Sequence, residues 1–330
     1  MNLKNLSKKS KKKKSKKNKI IKENKNNEKI LKDPHWRAMR IAGSISGGGY
    51  NKKTKKNKSI YNNDYVIAIP SYKRAEILKK NTLNYLQNQK INKNKIYIFV
   101  ANKKEYDLYK KTLPNYYKKL VIGIVGMGNI RNFITDYFPE KTKIFNMDDD
   151  IKGLIKLTKE RNKKNGSKAI SRPFKNNDLH KFINDGFNEC KKKNLSLFGI
   201  YPAANPFFMK KRITYDLRYI IGSVWGNIND KNLKVSLDDK EDFERSIKHY
   251  KQYGGVVRFE NITANTPYMT CTGGMQVLRT NKRILESAKY LANKYPDLCT
   301  YYKKKKGFAE VRLKDQEDKY RNKKNTNKLL

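Results

Sequence analysis

The stretch KIFNMDDDIKGLIKL, residues 143–157, sets three consecutive aspartates, Asp148, Asp149 and Asp150, directly after a short apolar run. Acids are scarce in this chain: 30 Asp and Glu stand against 77 Lys and Arg, for a formal net charge of +47. KIFNM reads as a buried strand, so the acids gather where a strand ends. What that strand closes is decided by the residues before it.

Upstream, strand and helix signals alternate. DYVIAIPSY (64–72) is an apolar run ending in Pro-Ser-Tyr, a buried strand passing into a loop. RAEILKKNTLNYLQNQ (74–89) then puts Ile77, Leu78, Tyr85 and Leu86 on roughly one helical face. KIYIFVA (95–101) is a second strand, KKEYDLYKKTL (103–113) a short helix closed before Pro114, and KLVIGIVG (119–126) a third strand. NIRNFITDYF (129–138) is the cleanest helix, with Ile130, Phe133, Ile134, Tyr137 and Phe138 at i, i+3, i+4, i+7 and i+8, and Pro139 stops it. KIFNM is the fourth strand. This alternation predicts an α/β fold with a mostly parallel, doubly wound sheet and flanking helices. Ligands of such sheets bind beyond the carboxyl ends of the strands, where the aspartates sit.

Downstream the pattern predicts a helix from Ile151, a long loop or lid over 158–178, and a helix over 179–193 with Leu179, Phe182, Ile183, Phe187 and Cys190 inward. LSLFGIYP (195–202) reads as a strand and TYDLRYIIGSVWGNIN (214–229) as a strand pair. The segment 238–255 opens with acids, continues as a helix through Phe243, Ile247 and Tyr250, and ends at Gly254 and Gly255. VVRF (256–259) is a strand and residues 283–295 an amphipathic helix. The organisation expected is a disordered Lys-rich tail (1–58), one domain (59–320) and a basic C-terminal tail (321–330). Within the domain, 64–157 and 179–320 form two halves separated by the 158–178 loop.

Composition narrows the classes. Residues 1–58 hold 21 Lys and Arg against Glu23, Glu28 and Asp33. Clustered positive charge favours a polyanionic partner. Lys, Asn, Ile and Tyr all have A/T-rich codons, which accounts for the charge spread through the body better than for KKSKKKKSKKNK at 8–19. Cys190, Cys271 and Cys299 are far apart, as are His35, His180 and His249, so no zinc module or disulfide framework is readable. No signal-peptide core and no membrane-length apolar run is present, so an intracellular protein of the nucleus, cytoplasm or a viral factory is expected.

Four stretches carry candidate chemistry. Asp148 and Asp150, at i and i+2 past a strand, suit a hard divalent cation, Mn²⁺ or Mg²⁺, shared with a diphosphate. The plainer reading is a solvated acidic helix start. VGMGNIRN (125–132) nearly matches a dinucleotide G-x-G-x-x-G, but Arg131 stands at the third glycine, and three acids in series suit a cation better than a ribose. Arg131 is placed near phosphates or paired with Asp148. In IPSYKR (69–74), Tyr72 can stack on a base while Lys73 and Arg74 meet phosphate; an ordinary solvated loop is the alternative. Asp238, Asp239, Glu241 and Asp242 precede a helix, either as dipole-matched acids or with one of them as a general base.

Together, IPSYKR, GNIRN, NMDDD, YIIGSVWG and EDF resemble a GT-A-type glycosyltransferase over about 64–275. More narrowly, IPSYKR, GNIRN and EDFERSIKHYKQYGGVVRF resemble the glycosyltransferases associated with TET/JBP dioxygenases, known from phages, large DNA viruses and some eukaryotes. That family includes the enzyme that glucosylates hydroxymethyluracil in base J synthesis. The resemblance implies a GT-A-like sheet and an inverting transfer of a hexose from a nucleotide-sugar, UDP-linked, to a hydroxyl. The expected acceptor is a hydroxymethylated pyrimidine in DNA. It implies Asp148 and Asp150 as metal ligands, with Asp148 also at the diphosphate. Asp242 is the implied base, with Glu241 as alternate, and Pro70, Ser71, Tyr72, Arg74, Arg131 and Asn132 line the nucleotide site. Asp149 is expected to point away, towards Arg131 or the sugar. GT-A enzymes often add a C-terminal His to the metal, and none follows His249 here. Protein or glycan acceptors, and a non-enzymatic nucleic-acid-binding role, are the competing readings.

Overall fold

The computed structural model describes residues 64–162, 166–266, 273–274, 279–303 and 308–315. Expectations for 1–58 and 321–330 fall outside these residues.

Strand β1 (Val66–Ser71) leads into helix α1, built from Ala75–Leu78, a π-helical turn Lys79–Leu83, and Asn84–Asn88. Then come β2 (Ile96–Val100), α2 (Lys103–Thr112), β3 (Lys119–Ile122), α3 (Met127–Tyr137) and β4 (Lys143–Met147). β1 pairs in parallel with β2 and β4, and β2 with β3. Alternate residues of each strand enter opposite layers, because successive side chains point to opposite faces. Ile67 and Ile69 join Ile96, Ile98 and Phe145 on one face. Ala68, Phe99 and Ile144 meet Ile130, Ile134 and Phe138 on the other. Both faces are covered, which is why these strands read as continuous apolar runs.

The second half continues with β5 (Gly153–Lys159), β6 (Ile170–Pro173), α4 (Asp178–Lys193), β7 (Leu197–Ile200), β8 (Ile213–Thr214) and β9 (Val224–Ile228). α5 (Glu241–Tyr253), β10 (Val257–Phe259), β11 (Ile262–Asn265), α6 (Asn281–Lys294), β12 (Cys299–Lys303) and β13 (Ala309–Leu313) follow. The main sheet has the order β3-β2-β1-β4-β9-β7-β10-β8, a smaller sheet the order β11-β5-β6, and β12 pairs with β13. In the main sheet β9 runs antiparallel to β4 and β7, and β8 antiparallel to β10; the other strands share one direction. The predicted mostly parallel α/β sheet is what forms.

Three local expectations are corrected. No helix starts at Ile151: residues Gly153–Asn265 of β5 and β11 pair antiparallel, from Gly153↔Asn265 to Lys156↔Ile262, and this partner more than 100 residues away overrides the helical spacing of Ile151, Leu154 and Leu157. Residues 158–178 are not one lid-like loop, because β6 hydrogen-bonds to β5 inside that span. The stretch 214–229 is not a strand pair: β8 pairs with β10 at the sheet edge, and β9 lies centrally between β4 and β7.

α5 is held from below by His249, whose Nδ1 lies 2.7 Å from Ser196 Oγ. Burial, helped by the Arg245 charge and opposed by Asp230, pushes this imidazole down to about 3 from its ordinary 6.5. The native state therefore refuses a proton that the unfolded chain accepts. The contribution is complete above pH 6.5 and is lost as pH falls towards 3, with a slope approaching ~1.4 kcal/mol per pH unit. Urea unfolding at pH 7 and pH 5 should show a smaller acid loss for His249→Gln than for the wild type. An equal loss in both would assign the acid sensitivity to other groups.

Candidate active site

The aspartates leave β4 in a turn whose shape is set by a residue that spacing alone does not reveal. Thr82, in the π-helical turn of α1, donates from Oγ1 to the Asp148 carbonyl at 2.7 Å and accepts from the Ile151 amide at 2.9 Å. The Asp148 amide donates to the Ser223 carbonyl at 2.9 Å. The backbone of the acidic turn is thus tied on both sides, and a π-helical turn at such a place is a recurrent feature of functional sites.

The three carboxylates part company. Asp148 Oδ1 accepts from Arg131 Nη2 at 2.9 Å and keeps 30% of its side chain exposed. Asp149 is buried, accepting from Ser71 Oγ at 2.6 Å and from Arg74 Nη1 at 3.2 Å. It faces the loop after β1, so the expected orientation towards Arg131 is corrected. Asp150 Oδ2 is 3.4 Å from Arg74 Nη1. Burial pushes the Asp149 carboxyl up to about 7, against the pull of Arg74 and Ser71. Burial and the neighbouring Asp148 charge raise Asp150 to about 6. Burial is thus the first cause at both carboxyls, with the neighbouring aspartates adding to it.

A cleft opens beside this turn. Pro70, Ser71, Tyr72, Arg74, Asp148 and Asp149 line it. Val100, Ile124, Val125 and Met127 form an apolar wall that was not singled out in the sequence. The sequence pattern extends the third strand to Gly126, whereas β3 ends at Ile122, and Ile124, Val125 and Met127 line the cleft instead. The 70–74 loop is braced by α2: Tyr109 Oη lies 2.8 Å from Ser71 Oγ and accepts from the Arg74 amide at 2.9 Å, and Glu105 accepts from the Lys73 amide at 2.8 Å. Lys73 needs that brace, since its φ of 58° is left-handed. Its ammonium sits 4.9 Å from the centre of the Tyr72 ring.

The glycines of VGMGN serve packing. Gly126 takes φ 107° at the start of α3, and a Cβ on Gly128 would lie 2.3 Å from the Leu237 carbonyl oxygen. The Gly128 amide donates to Asp238 at 2.9 Å. A carboxylate of the chain itself therefore takes the helix-start amide that a dinucleotide pyrophosphate would use.

Beneath Asp148 lies a buried charged cluster. Arg131 Nη2 also donates to the Gly222 carbonyl at 2.9 Å, and Arg131 Nε is 3.7 Å from Glu241 Oε1. Glu241 pairs with Arg245 at 2.6 Å. Arg245 lies 3.8 Å over the Trp225 ring and Arg131 5.5 Å from it. Arg131 therefore supports the acidic turn from within and does not line the cleft. Asn132 is also turned away: its amide donates to the Val235 carbonyl at 2.8 Å and accepts from the Val235 amide at 2.9 Å. The nucleotide-lining role expected for Asn132 is corrected, because both ends of its amide are spent on this loop.

Of the four acids before α5, Asp238 caps α3 and Asp239 is buried against Arg279 and Arg283 at 3.1 and 3.2 Å. Glu241 is locked between two guanidiniums. Asp242 is only half-buried, and its Oδ2 accepts from Tyr219 Oη at 2.6 Å and from the Gly222 amide at 3.3 Å. Gly222 thus joins the two acid groups: its amide reaches Asp242, and its carbonyl meets the arginine that holds Asp148. Those two groups lie 94 residues apart in sequence.

The donor set fits a divalent cation of limited protein ligation. Among the described residues no group of three or more His, Cys, Asp or Glu side chains is arranged to hold a metal. A cation held by Asp148 and Asp150, which here pair with Arg131 and Arg74, would complete its shell with water and phosphate. No helix among the described residues is long and apolar enough to cross a membrane.

Comparison with known proteins places this geometry. No curated protein matches the sequence. Solved structures that resemble the chain include the following two. One is 4-diphosphocytidyl-2C-methyl-D-erythritol synthase from Anaerococcus prevotii, 13% identical, with 63% of this chain and 94% of that one covered at a TM-score of 0.34. The other is CMP:2-keto-3-deoxy-manno-octonic acid synthetase complexed with CTP, 8% identical, with 59% and 88% covered at a TM-score of 0.37. The model of the TET-Associated Glycosyltransferase family matches residues 65–269, a span holding the cleft loop, the acidic turn, Gly222 and Asp242. The chain is a member of the TET-associated glycosyltransferase family, and the protein is a glycosyltransferase.

Proposed function

We propose that the protein moves a sugar from a nucleotide-sugar, UDP-linked, to the hydroxyl of a hydroxymethylated pyrimidine in DNA, with inversion at the anomeric carbon. The observation that carries this reading is the Gly222 bridge, which ties Asp242 through Arg131 to Asp148 of the acidic turn. The nucleoside would lie against Tyr72 and the apolar wall, with Arg74 towards its phosphates. Asp148 and Asp150 would hold a divalent cation, Mn²⁺ or Mg²⁺, whose chemistry is to offset charge growing on the departing diphosphate.

Asp242 accepts the proton of the acceptor hydroxyl as that oxygen attacks the anomeric carbon. The new carbon–oxygen bond forms as the bond to the diphosphate breaks, and the diphosphate leaves with the bonding pair. The Tyr219 hydroxyl and the Gly222 amide hold Asp242 in place for this transfer. Burial and the Asp242 charge raise the Tyr219 hydroxyl well above its ordinary range, so it stays a donor. The positive charge of the chain suits an anionic donor and a polyanionic acceptor alike.

The test is incubation with labelled UDP-sugars, Mn²⁺ or Mg²⁺, and hydroxymethylated DNA. Label should enter DNA, and Asp148→Asn should raise the metal concentration for half-maximal rate by at least ~10-fold. Label entering protein or glycan but not DNA would replace this acceptor. The absence of both transfer and donor hydrolysis would overturn the reading.

A further inference from the structure

The segment 201–212 has a role that the reaction site does not use. β7 runs parallel to β10 and antiparallel to β9, which is itself antiparallel to β4. β7 and β4 therefore run the same way, and 201–212 leaves the sheet on the edge that carries Asp148. The segment is pinned at both ends: the Tyr201 amide donates to the Ile262 carbonyl at 2.8 Å and the Lys210 amide to the Glu260 carbonyl at 3.1 Å. Met209 is buried at 1% exposure, whereas its neighbours Phe207 and Phe208 are 48% and 57% exposed. The two rings stand edge to face, 4.8 Å apart at 74°. The Arg161 guanidinium covers Phe207 at 4.1 Å.

Charge around the pair is mostly positive. Residues 156–161 and 205–212 contain Lys156, Lys159, Arg161, Lys210, Lys211 and Arg212, against Glu160 alone. Glu160 is spent inside the patch, accepting from the Lys211 amide at 2.6 Å and lying 3.4 Å from Lys210 Nζ. Lys211 and Arg212 also border a neighbouring cavity with Lys156 and Lys181, where Asp178 is paired with Arg172 at 2.7 Å and Asp185 with Lys181 at 2.6 Å. Exposed aromatic rings in a cationic field match a polyanion with flat apolar faces. β5 runs from the acidic turn towards this patch, and its seven residues span ~20 Å. A ligand that reaches both ends must span at least that length.

We propose that Phe207 and Phe208, framed by Arg161, Lys210 and Lys211, grip the DNA strand that flanks the acceptor base. One ring stacks on an unstacked base and the cations meet adjoining phosphates. The inference rests on the reading of DNA as acceptor, and adds to it a surface distinct from the reaction site.

The test is fluorescence anisotropy with a fluorescein-labelled single-stranded DNA of mixed sequence over a salt series. It uses the full chain, Phe207→Ala/Phe208→Ala, the stacking-competent Phe207→Trp/Phe208→Trp, and Arg161→Ala/Lys210→Ala/Lys211→Ala. Loss of the rings should weaken binding about tenfold, and the Trp pair should restore it. Loss of the cations should lower the salt slope by about 0.7 for each phosphate contact removed. Binding of UDP should be unchanged in every variant. If the wild type binds DNA and the variants bind equally, the grip is disproved while the transferase reading stands. If the wild type binds no DNA, or the patch captures only protein in crosslinking, the grip is also disproved. If the variants lose DNA binding yet the wild type transfers no sugar to hydroxymethylated DNA, the grip stands and the acceptor reading fails.

Discussion

Asp242→Asn is expected to cut sugar transfer about a thousandfold, within the range for loss of a general base, while fold and UDP binding persist. The side chain is half-buried, and an Asn oxygen can still accept from Tyr219 and the Gly222 amide. The substitution therefore removes the proton acceptor and little else. Glu241→Gln separates the two candidate bases. Glu241 is paired with Arg245 at 2.6 Å and lies 3.7 Å from Arg131, so its carboxylate is committed to the buried cluster. Its replacement should appear first as lost stability. Single-turnover transfer and thermal unfolding of both variants decide the matter. Full transfer by Asp242→Asn, with loss confined to a stably folded Glu241→Gln, would move the base to Glu241.

Arg131→Met should cost about 3–5 kcal/mol of stability, the usual penalty for removing one partner of a buried ion pair. The guanidinium is 4% exposed and touches Asp148, the Gly222 carbonyl and Glu241. Without it, two carboxylates lose a counter-charge and a buried carbonyl loses its donor. Nε and Nη1 of Arg131 already lack hydrogen-bond partners, so its net worth comes from these contacts and from Trp225 rather than from full satisfaction. Because the same residue holds Asp148, transfer should fall with stability. Urea unfolding gives the first number, and transfer at a temperature where the variant is folded gives the second. A stability change under 1 kcal/mol would show that the cluster is dispensable and that Arg131 serves the ligand alone.

These predictions depend unequally on sequence and structure. The four strand–helix units of residues 64–147 were legible because each carries its own periodicity: apolar runs with both faces buried, and helices such as α3 with Ile130 and Ile134 on one side. The seating of the acids at a strand end followed from the same local signals. IPSYKR was legible as a cleft loop because it ends a strand in a fold whose ligands bind there. The misread segment at Ile151 shows the limit. Its apolar spacing fits a helix, and β11, far downstream, makes it a strand. Asn132 sits in the same motif as Arg131, but one turns to Val235 and the other to Asp148.

By itself, the sequence determined the α/β class, the acidic turn, the loop before it and the helix that Asp242 opens, because each is written in contiguous residues. Tertiary structure alone decided which acids face the cleft and which are buried counter-ions. It assigned Thr82 to hold the turn, Arg131 to support it and Gly222 to join it to Asp242. Those roles depend on contacts across 17 to 91 residues. Hydrogen bonds over such separations leave no period or spacing in the chain, and only the closure of the sheet brings their partners within hydrogen-bonding reach.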